Sequence, residues 1–226
     1  MIDIAVIDYG MGNLRSVAKA LEHVAPSKTI VVTDDPEAIA SAGRVVFPGQ
    51  GAMPDCMREM DARGLRTPLV QAARSKPFLG LCIGLQMLFE VSEEGDTPGL
   101  GILTGKVVRF PAVLPDTAGN KLKVPHMGWN QVYQAAPHPM WQGIADGSRF
   151  YFVHSYFVNT SDPALIAGTS NYPSSFTCAI ARNNIFAVQF HPEKSQSAGL
   201  QLLSNFVSWN GTKRATQAGA VPATNA

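Results

Sequence analysis

The chain has 226 residues, which at about 150 residues per domain favours one large domain. Hydrophobic residues make up 46% and charged residues 15%, enough apolar material for a sizeable core and too little charge for a disordered chain. Eighteen Lys and Arg against seventeen Asp and Glu leave +1, so bulk charge gives no reason to bind nucleic acid or an anionic membrane.

In chain order, residues 2–7 read as a short apolar strand interrupted by Asp3. Asn13 is placed to cap a helix whose apolar positions, Leu14, Val17, Ala18, Leu21 and Val24, follow the ~3.6-residue period. Residues 29–32 form a β-branched strand. Asp35-Pro36-Glu37 starts a further helix, because Asp accepts orphan N–H groups and Pro suits the first turn. Residues 45–47 form a third strand, stopped by Pro48-Gly49-Gln50-Gly51. A helical stretch covers residues 55–74, a fourth strand 77–81 and another helix 82–91. From Gly99 the pattern changes. Strand candidates at 150–158, 165–169, 177–181 and 185–191 are joined by Gly, Pro, Asn and Ser turns. A last helix carries Ala198, Leu202, Leu203, Phe206 and Val207. Repeated βα units imply a parallel sheet with helices on both faces. The expected fold is α/β, flavodoxin-like and doubly wound, with a mainly parallel central sheet and antiparallel additions in the second half. One domain is expected over 1–210, with a flexible tail over 211–226.

No apolar run approaches the ~20 residues of a membrane-spanning helix. Asp3 and Asp8 interrupt the N-terminal apolar stretch, and no basic region precedes it, unlike a secretory leader. The three cysteines, Cys56, Cys82 and Cys178, lie far apart, which argues against a disulfide framework or a structural zinc site. A reduced, cytoplasmic protein is expected. Two apparent motifs fail. Gly10-Met11-Gly12 follows the first strand, but Arg15 stands where a dinucleotide fingerprint needs its third glycine. Gly105-Lys106 resembles the end of a phosphate loop, yet Leu100 and Val107 replace the residues it requires. With no HExxH and no ligand cluster, neither metal nor cofactor is expected.

One constellation succeeds. A strand, then Gly80-Leu81-Cys82-Ile83-Gly84, then a helix is the pattern of a nucleophile elbow with cysteine as nucleophile. The small residues let backbone and substrate approach, and a helix N-terminus favours thiolate over thiol. The Ile83 N–H would face a tetrahedral oxyanion, with a second donor from the Gly49-Gln50-Gly51 turn. Both loops belong to the carboxyl edge of a parallel sheet, where ligands bind. Cys56 and Cys178 read as core. Of five histidines, His23 and His138 read as surface, whereas His191 ends an apolar strand and precedes Pro192-Glu193. Pro192 pushes His191 toward extended geometry, which would turn residues 191 and 193 to one side. That is the base and orienter of a triad with Cys82. His154 is the alternative base. On the residues alone, another cysteine hydrolase built on the same elbow, or a non-catalytic flavodoxin-like module, stays open.

PGQGAM (48–53), GLCIGLQ (80–86) and VQFHPEKS (188–195), in that order, resemble the class I, triad-type glutamine amidotransferases. DYGMGNLRSV (8–17), VPHMGWN (124–130) and YFVHSYF (151–157) are similar to the glutaminase subunits of imidazole glycerol phosphate synthase in that family. The resemblance covers about residues 1–209. It implies hydrolysis of L-glutamine to glutamate and ammonia through a thioester on Cys82, with His191 and Glu193 completing the triad. It gives the oxyanion donors as the backbone N–H groups of Gln50 and Ile83. Gln50 departs from the aliphatic residue more usual there. Gly51, Gln86, Glu94, Ser155 and Tyr156 are implied to bind substrate. The implied partner is a (β/α)₈ cyclase subunit in a heterodimer, met by Asn13, His126, Met127, Trp129, Asn130, Tyr151 and Lys194. The ammonia serves histidine biosynthesis in that family.

Overall fold

The computed structural model describes residues 1–111 and 122–212. Its first half alternates β1 (Ile4–Ile7), α1 (Leu14–Val24), β2 (Ile30–Thr33), α2 (Pro36–Ser41) and β3 (Arg44–Phe47). Two consecutive helices, α3 (Met53–Ala62) and α4 (Arg66–Ser75), precede β4 (Phe78–Leu81) and the short α5 (Ile83–Gln86). The second half is rich in strands: β5 (Val91–Ser92), β6 (Thr97–Pro98), β7 (Lys106–Arg109), β8 (His126–Gln131) and β9 (Tyr133–Gln134). β10 (Arg149–His154), β11 (Tyr156–Asn159), β12 (Ile166–Asn171), β13 (Ser175–Arg182) and β14 (Ile185–Val188) follow, and α6 (Gln196–Ser208) ends the described fold. The local signals act as read. The Asn13 side chain accepts from Ser16 N at 3.3 Å, and Asp35 accepts from Glu37 N at 2.9 Å with Pro36 opening α2.

The main sheet runs β2-β1-β3-β4-β14-β13-β11-β7-β5-β6, with β12 and β9 branching from β13. Its first five strands are all parallel. This is the flavodoxin-like order with β14 in the fifth place. β14 therefore differs from the expected antiparallel addition: it pairs in parallel with β4, and only β13 beside it runs the other way. Its four residues are all buried, as a strand covered on both faces requires. Helices α1 and α6 pack on one face around Val17, Leu21, Leu202, Leu203 and Phe206. On the other face α2, α3 and α4 bury Ile39, Met57, Met60, Leu65 and Leu69. Cys56 and Cys178 are buried core residues.

Three further elements depart from the sequence reading. The helical stretch 55–74 breaks at Gly64, whose φ of +67° suits glycine. Leu65 N bonds Met60 O at 3.1 Å and Gly64 N bonds Asp61 O at 2.9 Å, a Schellman stop. The helix expected over 82–91 ends at Gln86. The carbonyls of Met87, Leu88 and Phe89 accept instead from the N–H groups of Leu100, Ile102 and Gly101. The single strand expected over 150–158 divides at Ser155. β10 pairs with β8 in a separate two-stranded sheet, and β11 joins the main sheet beside β7. The tail expected over 211–226 lies, from residue 213 onward, outside the described residues.

Candidate active site

The carboxyl ends of β3, β4 and β14 converge on one edge. The register Val188↔Leu81 brings the residues that follow each strand side by side. Cys82 N bonds Val188 O at 2.8 Å, so the elbow is fastened to the strand that leads to His191. Cys82 has φ 54° and ψ −110°, an unfavourable backbone for a non-glycine residue, of order 1–3 kcal/mol. Its neighbours explain how that turn is held. A Cβ at Gly84 would collide with the Phe47 carbonyl oxygen, and one at Gly80 would stand 2.9 Å from the Ala187 Cβ. Only glycines let the elbow press against β3 and β14.

His191 is 3% exposed. Its Nδ1 bonds Glu193 Oε1 at 2.9 Å, and both side chains are buried. The contact is made differently from the extended geometry expected, because Pro192–Lys194 forms a 3₁₀ turn. Ser195 Oγ donates to His191 O at 2.6 Å and His191 N donates to Tyr151 O at 2.9 Å, which fixes the backbone of His191. Burial alone would disfavour the imidazolium. The charge of the Cys82 sulfur, with the hydrogen bond and charge of Glu193, outweighs it and pushes the His191 pKa up to about 10, while Nε2 of the ring has no hydrogen-bond partner among the described residues. Cys82 and His191 line one cavity, and Glu193 holds the ring from its Nδ1 side.

A cavity of about 290 Å³ opens at this pair. Its wall comprises Gln50, Gly51, Cys82, Ile83, Gln86, Glu94, Pro125, Val153, His154, Ser155, Tyr156 and His191. Every residue expected to bind substrate, and both expected oxyanion donors, therefore face one space. Gln86 is buried, and its Nε2 donates to Tyr156 O at 3.1 Å and to Gln189 Oε1 at 3.0 Å. Its Oε1 has no hydrogen-bond partner among the described residues. Glu94 Oε2 accepts from Met53 N at 2.8 Å, tying the wall to the start of α3. Among the described residues no three metal-ligating side chains gather.

The family described as glutamine amidotransferase class-I matches residues 5–209. The chain belongs to the class I glutamine amidotransferases. It is 70% identical over 216 residues to the imidazole glycerol phosphate synthase subunit HisH of Thiobacillus denitrificans, covering 95% of each chain. Against the HisH subunit of Aromatoleum aromaticum it is 69% identical over 210 residues, covering 92% of this chain and 99% of the relative. The fold is also similar to the crystal structure of a glutamine amidotransferase from Thermotoga maritima. That match has a TM-score of 0.58 at 16% identity, over 85% of this chain and 76% of the other.

In this amidotransferase the residues expected to meet a partner separate into two groups. Met127 and Trp129 are 62% and 42% exposed on one face of the β8–β10 sheet. Trp129 stands edge-on to Tyr151 at 6.1 Å, and Lys194 Nζ lies 5.9 Å over the Tyr151 ring. Asn13 is exposed at the start of α1. His126, also expected there, is buried instead, and Asn130 is half-exposed on the other side of the strand. Strand alternation turns both to the opposite face. His126 is 3% exposed and stacks on Tyr172 at 4.0 Å, and the Asn130 side chain bonds it from the rim. His23 is exposed as expected, whereas His138 is half-buried against Phe186 and Trp209.

Gln189 is a residue the sequence reading missed. It is fully buried, and its Nε2 lies 3.8 Å from Cys82 Sγ. A lone amide in the apolar run before His191, on the same side as that histidine, was the available signal. His154 is not the base. Its Nδ1 bonds Tyr156 O at 2.8 Å and its Nε2 bonds His126 Nδ1 at 2.9 Å.

Burial drives the His154 pKa down to about 3 and the His126 pKa down to about 4. The unfolded chain takes up these two protons first, so the folded state loses stability as pH falls from the ordinary histidine value, about 6.5, toward 4. Thermal melts across that window should show the melting temperature dropping by a few degrees. The drop should shrink when His154 is replaced by phenylalanine.

Proposed function

We propose that this chain is the glutaminase subunit of an imidazole glycerol phosphate synthase. It hydrolyses L-glutamine to glutamate and ammonia and hands the ammonia to a cyclase subunit for histidine biosynthesis. The observation that carries the reading is the buried Cys82–His191–Glu193 constellation at the mouth of a cavity lined by polar groups of both kinds. Cys82 Sγ attacks the side-chain amide carbon of glutamine. The Ile83 and Gln50 backbone N–H groups stabilise the oxyanion. His191 gives its proton to the departing amine, ammonia leaves, and a γ-glutamyl thioester remains on Cys82. Water then attacks the thioester carbon with His191 taking its proton, and glutamate is released with the thiol restored. Glu193 holds the ring in the orientation both steps need. Gly51, Gln86, Glu94, Ser155 and Tyr156 hold the amino-acid end of the substrate.

Free ammonia is protonated and loses its nucleophilicity in bulk water, so a synthase gains from direct transfer. A small cavity of about 10 Å³ is walled by Asn13, Gly49, His191 and Glu193, and in this reading the ammonia leaves on that side. The partner in this reading is a (β/α)₈ cyclase forming a heterodimer through Asn13, Met127, Trp129, Tyr151 and Lys194. Exposed aromatics of this kind anchor interfaces. Trp129→Ala should weaken cyclase association by about tenfold or more while leaving the melting temperature nearly unchanged. Calorimetric titration of the two subunits measures this, and an unchanged affinity would remove Trp129 from the interface. Residues 1–210 act as one amidotransferase domain. Three free cysteines suit the reducing cytoplasm, and among the described residues no helix is long and apolar enough to cross a membrane. The reading is tested by assaying glutamate and ammonia release from glutamine with and without a purified cyclase subunit. Equal release of the two products, increased by the partner, is expected; no release in either condition would overturn it.

A further inference from the structure

One hydrogen-bond chain crosses the fold from the rim of β8 to the nucleophile. Asn130 Nδ2 donates to Asn171 O at 2.9 Å and to His126 Nε2 at 3.2 Å. His126 Nδ1 meets His154 Nε2 at 2.9 Å, and His154 Nδ1 meets Tyr156 O at 2.8 Å. Gln86 Nε2 donates to the same carbonyl and to Gln189 Oε1, and Gln189 Nε2 reaches Cys82 Sγ.

The acceptors fix every proton in this chain. A carbonyl oxygen only accepts, so His154 carries its hydrogen on Nδ1 and presents a bare Nε2. His126 must then donate from Nδ1 and accept at Nε2, where the Asn130 amide supplies the hydrogen. The Asn130 amide is itself oriented, because its Oδ1 accepts from Gln131 N at 2.8 Å. The two lone pairs of Tyr156 O are both engaged. A reversed Gln86 amide would set its oxygen against Tyr156 O and Gln189 Oε1, so Gln86 Oε1 is left as a buried acceptor at the cavity wall.

We propose that the His126–His154 pair is a positioning element: through the Tyr156 carbonyl it fixes the Gln86 amide so that Oε1 is presented to the N–H groups of the amino-acid substrate. The proposal rests on the glutaminase reading. It gives two buried histidines outside the triad a role in substrate affinity rather than in bond breaking. It also joins strand β8, whose other face carries Met127 and Trp129, to the substrate wall.

The test has two arms. In the first, ¹⁵N NMR of the unmodified full chain at neutral pH reads both tautomers directly. His126 and His154 should both be neutral with hydrogen on Nδ1. A hydrogen on Nε2 of either ring, or an imidazolium, would overturn the proposal. This arm needs no variant and no turnover, so its result is independent of whether the chain hydrolyses glutamine. In the second arm, His126→Phe keeps the ring and its stacking on Tyr172 but removes both hydrogen bonds. The glutamine KM should rise about tenfold while kcat changes by less than about twofold. His126→Asn, whose amide can donate from the Nδ1 position, should recover most of that affinity. Equal losses in kcat and KM for both variants, or an unchanged KM in the phenylalanine variant, would reduce the pair to core packing and defeat the proposal. A wild-type chain with no turnover would instead sink the glutaminase reading.

Discussion

Replacing Cys82 by alanine is expected to lower glutamine hydrolysis by about 10⁴-fold or more, to the background of the assay. In the proposed mechanism the sulfur forms the bond that splits amide hydrolysis into two easier steps, and Cys82 is the one cysteine of the described residues on the cavity wall. Cys56 and Cys178 are buried, and desolvation raises both thiols, Cys56 to about 11. The fold should tolerate the change. Alanine removes one sulfur from a residue at the cavity wall, and the turn is held by the Cys82 N–H bond to Val188 and by Gly80 and Gly84 rather than by the side chain. Partner binding should also persist, because Met127 and Trp129 are exposed on a separate sheet and neither lines the cavity at the cysteine. Glutaminase assay, thermal melt and subunit titration on one preparation check all three expectations. Substantial residual hydrolysis would remove Cys82 from the role of nucleophile.

His191→Asn is expected to lower kcat by about 10²–10⁴-fold. Asparagine can keep a hydrogen bond toward Glu193 from the Nδ1 position, yet it cannot carry the proton that the leaving amine requires. No second histidine can substitute. Both ring nitrogens of His154 are engaged, and burial holds it neutral with a pKa of about 3. A kcat near that of the wild type would place the base elsewhere and dismantle the triad. Single-turnover measurements would show which half of the reaction suffers, since the variant loses the proton donor for ammonia and the acceptor for water alike.

Much of this was legible because the information is local. The period of Leu14, Val17, Leu21 and Val24, the caps at Asn13 and Asp35, and the turn after Phe47 each specify an element within a dozen residues. The elbow was legible because a cysteine nucleophile on a tight strand-to-helix turn needs the glycines that Gly80 and Gly84 supply. What escaped depends on partners distant in sequence. β14 lies between β4 and β13, and its direction relative to β4 is set by register rather than by any residue it contains. Ser155 interrupts a run that reads as one strand, because the two halves bond to β8 and β7 in different sheets. His126 was grouped with Met127 and Trp129 as a motif, although alternation along a strand already sets it on the opposite face. Gln189 was hidden in an apolar run whose other members fill the core.

The most direct measurement of the central claim is covalent labelling of the intact chain by a glutamine-like electrophile, read by peptide mass spectrometry. One equivalent on Cys82, none on Cys56 or Cys178, and protection by free glutamine are expected. Labelling that falls on another residue, or that proceeds undiminished at saturating glutamine, would contradict the assignment of Cys82 as the nucleophile.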